Sequence, residues 1–200
     1  TIGGLREESL AKVRSGAARP GGMSMEQLFD YQVQQSVIEA NGFDLMVMGR
    51  PEGPGCYCAA NNIIRKYTDK LSETYPYVVI DNEAGMEHLS RRTTHKVDLL
   101  LIISDPTVRG IKTAKRISDL VEELDLDIVK HELIINRVSG DEGQELKNFA
   151  ESLGLVVAGI VPQDHNIFEY DLQGKAIFEL PEDSPAVRDV FGIMEKIGID

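Results

Sequence analysis

DLLLIIS (residues 98–104), a run of helical periodicity from Val108 to Leu124, and ELIINRV (residues 132–138) decide the class of this chain. The two outer stretches are short apolar runs of the kind a strand shows when both its faces are covered. Between them Ile111, Ala114, Ile117 and Val121 recur along one helical face. Strand, helix, strand in that order is a parallel pair joined by a right-handed crossover. The alternation continues outward. Towards the carboxyl end the spacing predicts a helix over 142–153 closed by Gly154, a strand over 155–161 stopped by Pro162, a short helix near Ile167 and a last helix over 186–197. Towards the amino end it predicts a buried strand at Tyr77–Ile80, a helix over 59–73, a strand from Phe43 to Met48 and a helix from Ser24 to Ala40, ended by Asn41-Gly42. A short helix from Leu5 to Arg14 opens the chain. The expected fold is α/β: a doubly wound, mostly parallel sheet with helices on both faces, in one domain over residues 1–200.

Composition narrows the function classes. The 200 residues carry a formal net charge of -12, which opposes non-specific binding to nucleic acid, where Lys and Arg must neutralise phosphates. No apolar run approaches the ~20 residues that span a bilayer, and the opening residues lack the layout of a signal peptide. The expected location is the cytoplasm, with neither nucleic acid nor membrane as a partner. Cys56 and Cys58 are too few and too close for a disulfide framework.

Four stretches could carry chemistry. YVVIDNEAGMEH (77–88) reads as a strand running into Asp81, Glu83 and Gly85. An acidic residue at the carboxyl end of a parallel strand can sense magnesium and phosphate, and it can equally cap the next helix. Cys56-Tyr57-Cys58 sits beyond a loop dense in Gly and Pro, where two thiolates can reach one metal. A tetrahedral, all-sulfur site would then need a second copy of the chain, unless His88 or His95 completed it. Asn136-Arg137 and Pro162-Gln163-Asp164 both follow strands and so share one rim of the sheet. An Asn there can pair with a purine or satisfy its own turn. Arg109, Lys112, Lys115 and Arg116 decorate one helix, most simply as a solvated basic face.

Taken together, the runs FDLMVMGRPEGPGCYC (43–58), DNEAGMEHL (81–89), INR (135–137) and VPQD (161–164) resemble the CooC-type maturation ATPases of nickel carbon monoxide dehydrogenase. These are deviant P-loop NTPases, grouped with the nitrogenase iron protein and the MinD/ParA proteins, and the likeness covers nearly the whole chain. It implies ATP or ADP with magnesium as ligand, and Asp81, Glu83 and Gly85 as a switch facing the terminal phosphate. It implies that Asn136, Arg137, Pro162, Gln163 and Asp164 surround the adenine. It also implies that Cys56 and Cys58 bind nickel or zinc across a homodimer, with carbon monoxide dehydrogenase, or acetyl-CoA synthase, as client.

The chain departs from the pattern in one respect. No G-x-x-x-x-G-K-[ST] occurs in it, so the first strand and phosphate loop of that fold are not among these residues. The expectation is an amino-terminally truncated piece with no hydrolysis by the usual route, and with apolar sheet faces exposed. Two other readings stay open: a non-catalytic metal-binding scaffold, and a partition or positioning ATPase of the ParA/MinD kind.

Overall fold

The computed structural model describes residues 22, 25–47, 68, 70–82, 84–86 and 96–199. Contacts divide the chain into two compact units, Thr1–Tyr67 and Thr68–Asp200.

In the first unit, helix α1 (Met25–Gln35) is followed by a small hairpin of β1 (Ile38–Glu39) and β2 (Asp44–Leu45). The pairs Ile38–Leu45 and Glu39–Asp44 are antiparallel, and the Ala40 N–H donates to the Phe43 carbonyl at 2.9 Å. Asn41-Gly42 is therefore a two-residue hairpin turn, with Gly42 at φ 90°. This corrects two expectations. The helix stops at Gln35, where the Ser36 hydroxyl takes up the Val33 carbonyl, and residues 44–47 form no parallel buried strand. The left-handed backbone that Asn-Gly offers serves a helix stop and a hairpin turn equally well, and here the hairpin takes it.

The second unit contains a parallel sheet in the order β3 (Lys96–Ser104), β4 (Asp127–Val138), β5 (Val157–Pro162). Its helices are α2 (Val108–Glu123), α3 (Gly143–Ser152), α4 (His165–Leu172) and α5 (Pro185–Ile197). Alternate residues of the strands build two cores. Ile102, Leu133, Ile135 and Val157 pack with Ile111 and Ala114 of α2 and Ala150 of α3. On the other face Ile134, Ala158 and Val161 meet Ala186 and Ile193 of α5. Helices thus cover both faces, as a doubly wound sheet requires.

Two irregularities shape the sheet. Between Leu133–Val157 and Ile134–Gly159 the register slips by one residue on β5. Lys196 of α5 answers the slip by donating to the carbonyls of Ala158 (2.8 Å) and Val157 (3.3 Å). A Cβ on Gly159 would lie 2.3 Å from the Ile193 side chain, so α5 seats only on a glycine there. The second slip falls on β4, between Ile135 and Val138, at the candidate residues Asn136 and Arg137.

One expectation fails plainly. Tyr77–Ile80 form no strand and are not buried: Val79 is 92% exposed, and Tyr77, Val78 and Ile80 are all solvent-accessible. A β-branched run becomes a strand only when neighbours take up its N–H and C=O groups, and no ladder of the described residues does so.

Candidate functional site

The parallel register fixes which strand ends meet. Ser104 lies beside Ile135, and Ile135 beside Ile160, so β3, β4 and β5 end along one rim. Open α/β sheets bind ligands outside this carboxyl rim. The structure brings three groups to it: Asp105–Thr107, Asn136–Arg137 and Pro162–Asp164.

At the end of β4 the chain bulges, and Arg137 takes φ 60°, in the left-handed region that a side chain disfavours. The Asn136 side chain holds this turn, its Oδ1 accepting the Arg137 N–H at 2.9 Å. That bond fixes the amide orientation and leaves Nδ2 without a protein acceptor among the described residues. The half-buried Asn136 therefore keeps a donor at the rim, as an acceptor-bearing ring would require.

Next to it, the Gln163 N–H donates to the Val138 carbonyl at 2.9 Å, and the Ser139 hydroxyl donates to Gln163 Oε1 at 2.6 Å. These bonds tie the loops after β4 and β5 to each other. Asp164 has a different office. Its carboxylate caps α4 by accepting the Asn166 N–H at 2.9 Å. It also accepts the Ser184 hydroxyl and, at 3.1 Å, the Ala186 N–H at the start of α5. The Ser184 hydroxyl is the main reason the carboxyl is held below the usual carboxylate range; the backbone N–H groups of Ala186 and Asn166 act in the same direction, and burial opposes them. With both oxygens occupied inside the fold, Asp164 offers a ligand its backbone.

Asp105 and Thr107 were not singled out from the sequence. Thr107 caps α2 through the Gly110 N–H at 3.0 Å, and its hydroxyl donates to Asp105 Oδ1 at 3.0 Å. Gly110 is obligatory for this arrangement, because a Cβ would stand 1.8 Å from Asp105 Oδ1 and 2.5 Å from Ser104 Oγ. The legible signal was Asp-Pro-Thr ahead of a periodic run with a Gly three residues on.

Asp81 and Gly85 are not part of this rim's register. Asp81 is exposed and ends no strand, so no ladder carries it to the rim. Asn82 Nδ2 lies 3.5 Å from the Ile80 carbonyl, and Gly85 sits at φ 123°, a backbone that side chains rarely adopt. Cys56, Cys58, Glu83, His88 and His95 lie outside the described residues. Among those described, no three His, Cys, Asp or Glu side chains group as metal ligands, and no helix is long and apolar enough to cross a membrane.

No protein-family model matches the chain. Comparison with known proteins does find relatives. An uncharacterized ATP-binding protein of Methanocaldococcus jannaschii is 42% identical over 197 residues, 98% of this chain and 78% of the relative. The carbon monoxide dehydrogenase accessory protein CooC of Rhodospirillum rubrum is 31% identical over 201 residues, 94% of this chain and 73% of that one. Among solved structures, a ParA family ATPase from Chlorobium tepidum superposes with a TM-score of 0.63 at 17% identity, over 85% of this chain and 69% of that one. The chain therefore belongs to the family of ATP-binding proteins that includes this Methanocaldococcus protein and CooC, and its α/β fold is the one seen in MinD and ParA ATPases.

Proposed function

We propose that these residues, which do not include the phosphate loop, belong to a nickel metallochaperone ATPase that matures a carbon monoxide dehydrogenase-type enzyme in the cytoplasm. The observation that carries the reading is its 31% identity to CooC across almost the whole chain. Two features of the residues support it. The Nδ2 of Asn136, which has no acceptor among the described residues, fits the acceptor edge of an adenine, with Arg137, Pro162 and Gln163 around it and the backbone of Asp164 beside them. Asp81, Glu83 and Gly85 supply the carboxylates and the glycine backbone of a loop that answers to magnesium and the terminal phosphate.

In this reading Cys56 and Cys58 of two copies offer four thiolates to the cargo, nickel or zinc, across a homodimer. Nucleotide state then changes the dimer, and with it metal capture and release. The test is metal analysis with sizing of the protein beside a Cys56→Ser/Cys58→Ser variant. After equilibration with nickel or zinc and desalting, the parent is expected to hold about one ion per pair of chains and to run as a dimer. Equal metal content and equal dimerisation in the variant would refute the shared thiolate site. Asn136→Ala tests the nucleotide half: affinity for a fluorescent ATP analogue is expected to fall about tenfold, measured well below the melting temperature of both proteins because the change also removes the bond that holds the Arg137 turn.

A further inference from the structure

Helix α2 turns Ile111, Ala114, Ser118 and Val121 into the sheet, and the opposite side carries Val108, Arg109, Lys112, Thr113 and Arg116, all solvent-exposed. These five residues line one open depression. Three cations at spacings of three and four residues stand in a row about 10 Å long, given the rise of a helix. None of the three has a carboxylate partner among the described residues. Lys115 beside them does: it is bonded to Asp119, and that bond is the main reason its ammonium is held above the usual lysine range. The chain carries 33 Asp and Glu, yet no described carboxylate pairs with the cations of this face.

From this charge pattern we infer that the outer face of α2 is a docking surface for an acidic segment of a partner protein. The occupant is a short helix or loop that presents carboxylates to Arg109, Lys112 and Arg116 and an aliphatic side chain to Val108. Arginine and lysine in a fixed row pair well with carboxylates at helical spacing. Nucleic acid is the poorer fit, because a long polyanion that reached two turns of helix would face the strongly negative remainder of the chain. The surface lies on the helix that starts from the Asp105–Thr107 loop, so a partner seated here is one helix turn from the strand-end rim. The inference uses neither the nucleotide nor the metal, and its test omits both.

The experiment titrates the full chain against a fluorescein-labelled helical peptide of alternating Glu and Ala blocks, by anisotropy at low salt. It compares the parent, an Arg109→Gln/Lys112→Gln/Arg116→Gln variant and a Lys147→Gln/Lys175→Gln control. Hydrogen exchange with and without peptide locates the contact. The parent is expected to bind, with affinity falling as salt rises. The triple variant is expected to bind at least about tenfold more weakly, the control within about twofold of the parent, with peptide-induced protection over residues 108–116. The three replaced side chains are exposed, so the variant's melting curve should match the parent's. The idea is overturned if the parent does not bind, or if the control loses as much as the triple variant. It is equally overturned if a single-stranded oligonucleotide binds the same three residues more tightly than the peptide does.

Discussion

Residues 77–80 and 132–135 look alike as sequence: YVVI ends in an Asp, and ELII runs into an Asn. In the structure they have opposite fates. Leu133, Ile134 and Ile135 are at the centre of a three-stranded parallel sheet, with α2 and α3 on one face and α5 on the other. Tyr77–Ile80 pair with no strand among the described residues and lie open to solvent. The exposed run has the stronger strand preference of the two, since Tyr and Val favour strands and Glu does not, so propensity is not what separates them. Pairing is. A strand of a parallel sheet is stable when both edges find partners and both faces find cover, and only the second stretch has these.

The sharpest way to break this comparison is to truncate its buried side. Ile135 has no exposed surface, and Ile135→Ala removes three carbons from a filled core. The variant is expected to lose about 3–4 kcal/mol in denaturant unfolding, the range for large-to-small changes at such sites. A loss below about 1 kcal/mol would mean that the core around β4 is loose, and the contrast with Tyr77–Ile80 would collapse.

Asp164 probes the same region at its polar rim. Asp164→Ala strips the cap from α4 and leaves the buried Ser184 hydroxyl without its acceptor, an expected loss of about 2 kcal/mol. The pH dependence has a fixed sign. Because the folded carboxyl is held below the ordinary range, its stabilisation is complete above the unfolded value near ~4 and disappears as pH falls through the lowered folded value. Unfolding curves of the parent should therefore weaken on the acid side of that range, and Asp164→Asn should flatten that limb. An acid limb unchanged by Asp164→Asn would place the carboxylate outside the cap.

How much of this was legible in the sequence follows the same division. From residue 96 onward the strands and helices fall within about two residues of where periodicity puts them, because each apolar face there has a neighbour to face; only β4 differs, starting at Asp127 where the apolar run predicts Glu132. Asn41-Gly42 misled because one dipeptide supplies the left-handed backbone that two different structures need. The bulge at Asn136–Arg137 was illegible, since neither residue advertises a positive φ and the register slip arises only when β5 pairs alongside. The candidate site was legible as a set of strand ends and not as a set of bonds. Nothing in the order of residues says that Asp164 turns inward to Ser184 while Asn136 spends its amide oxygen on the Arg137 N–H.

Gly110→Ala tests how tightly the third strand end is drawn. A Cβ there overlaps the Asp105 carboxylate, which must swing away and abandon Thr107. The expected loss is about 1–2 kcal/mol, because the exposed Asp105 has room to move while the buried Ser104 hydroxyl, 2.5 Å from the added carbon, must also shift. A neutral result would mean that the Asp105–Thr107 contact does not hold the start of α2 in place.

The smallest effect is the most pointed. Val79→Thr replaces a methyl by a hydroxyl on a side chain that is almost wholly in water, so its expected effect is within about 0.5 kcal/mol of zero. The same exchange inside a parallel sheet buries an unpaired hydroxyl and costs about 1–3 kcal/mol. Denaturant unfolding of this one variant thus distinguishes an open extended segment from a covered strand. A loss above about 1 kcal/mol would put Tyr77–Ile80 back in a sheet, and with it Asp81 at a strand end beside Asn136. A silent Val79→Thr leaves the two apolar runs as different objects, one held by a ladder and one in water.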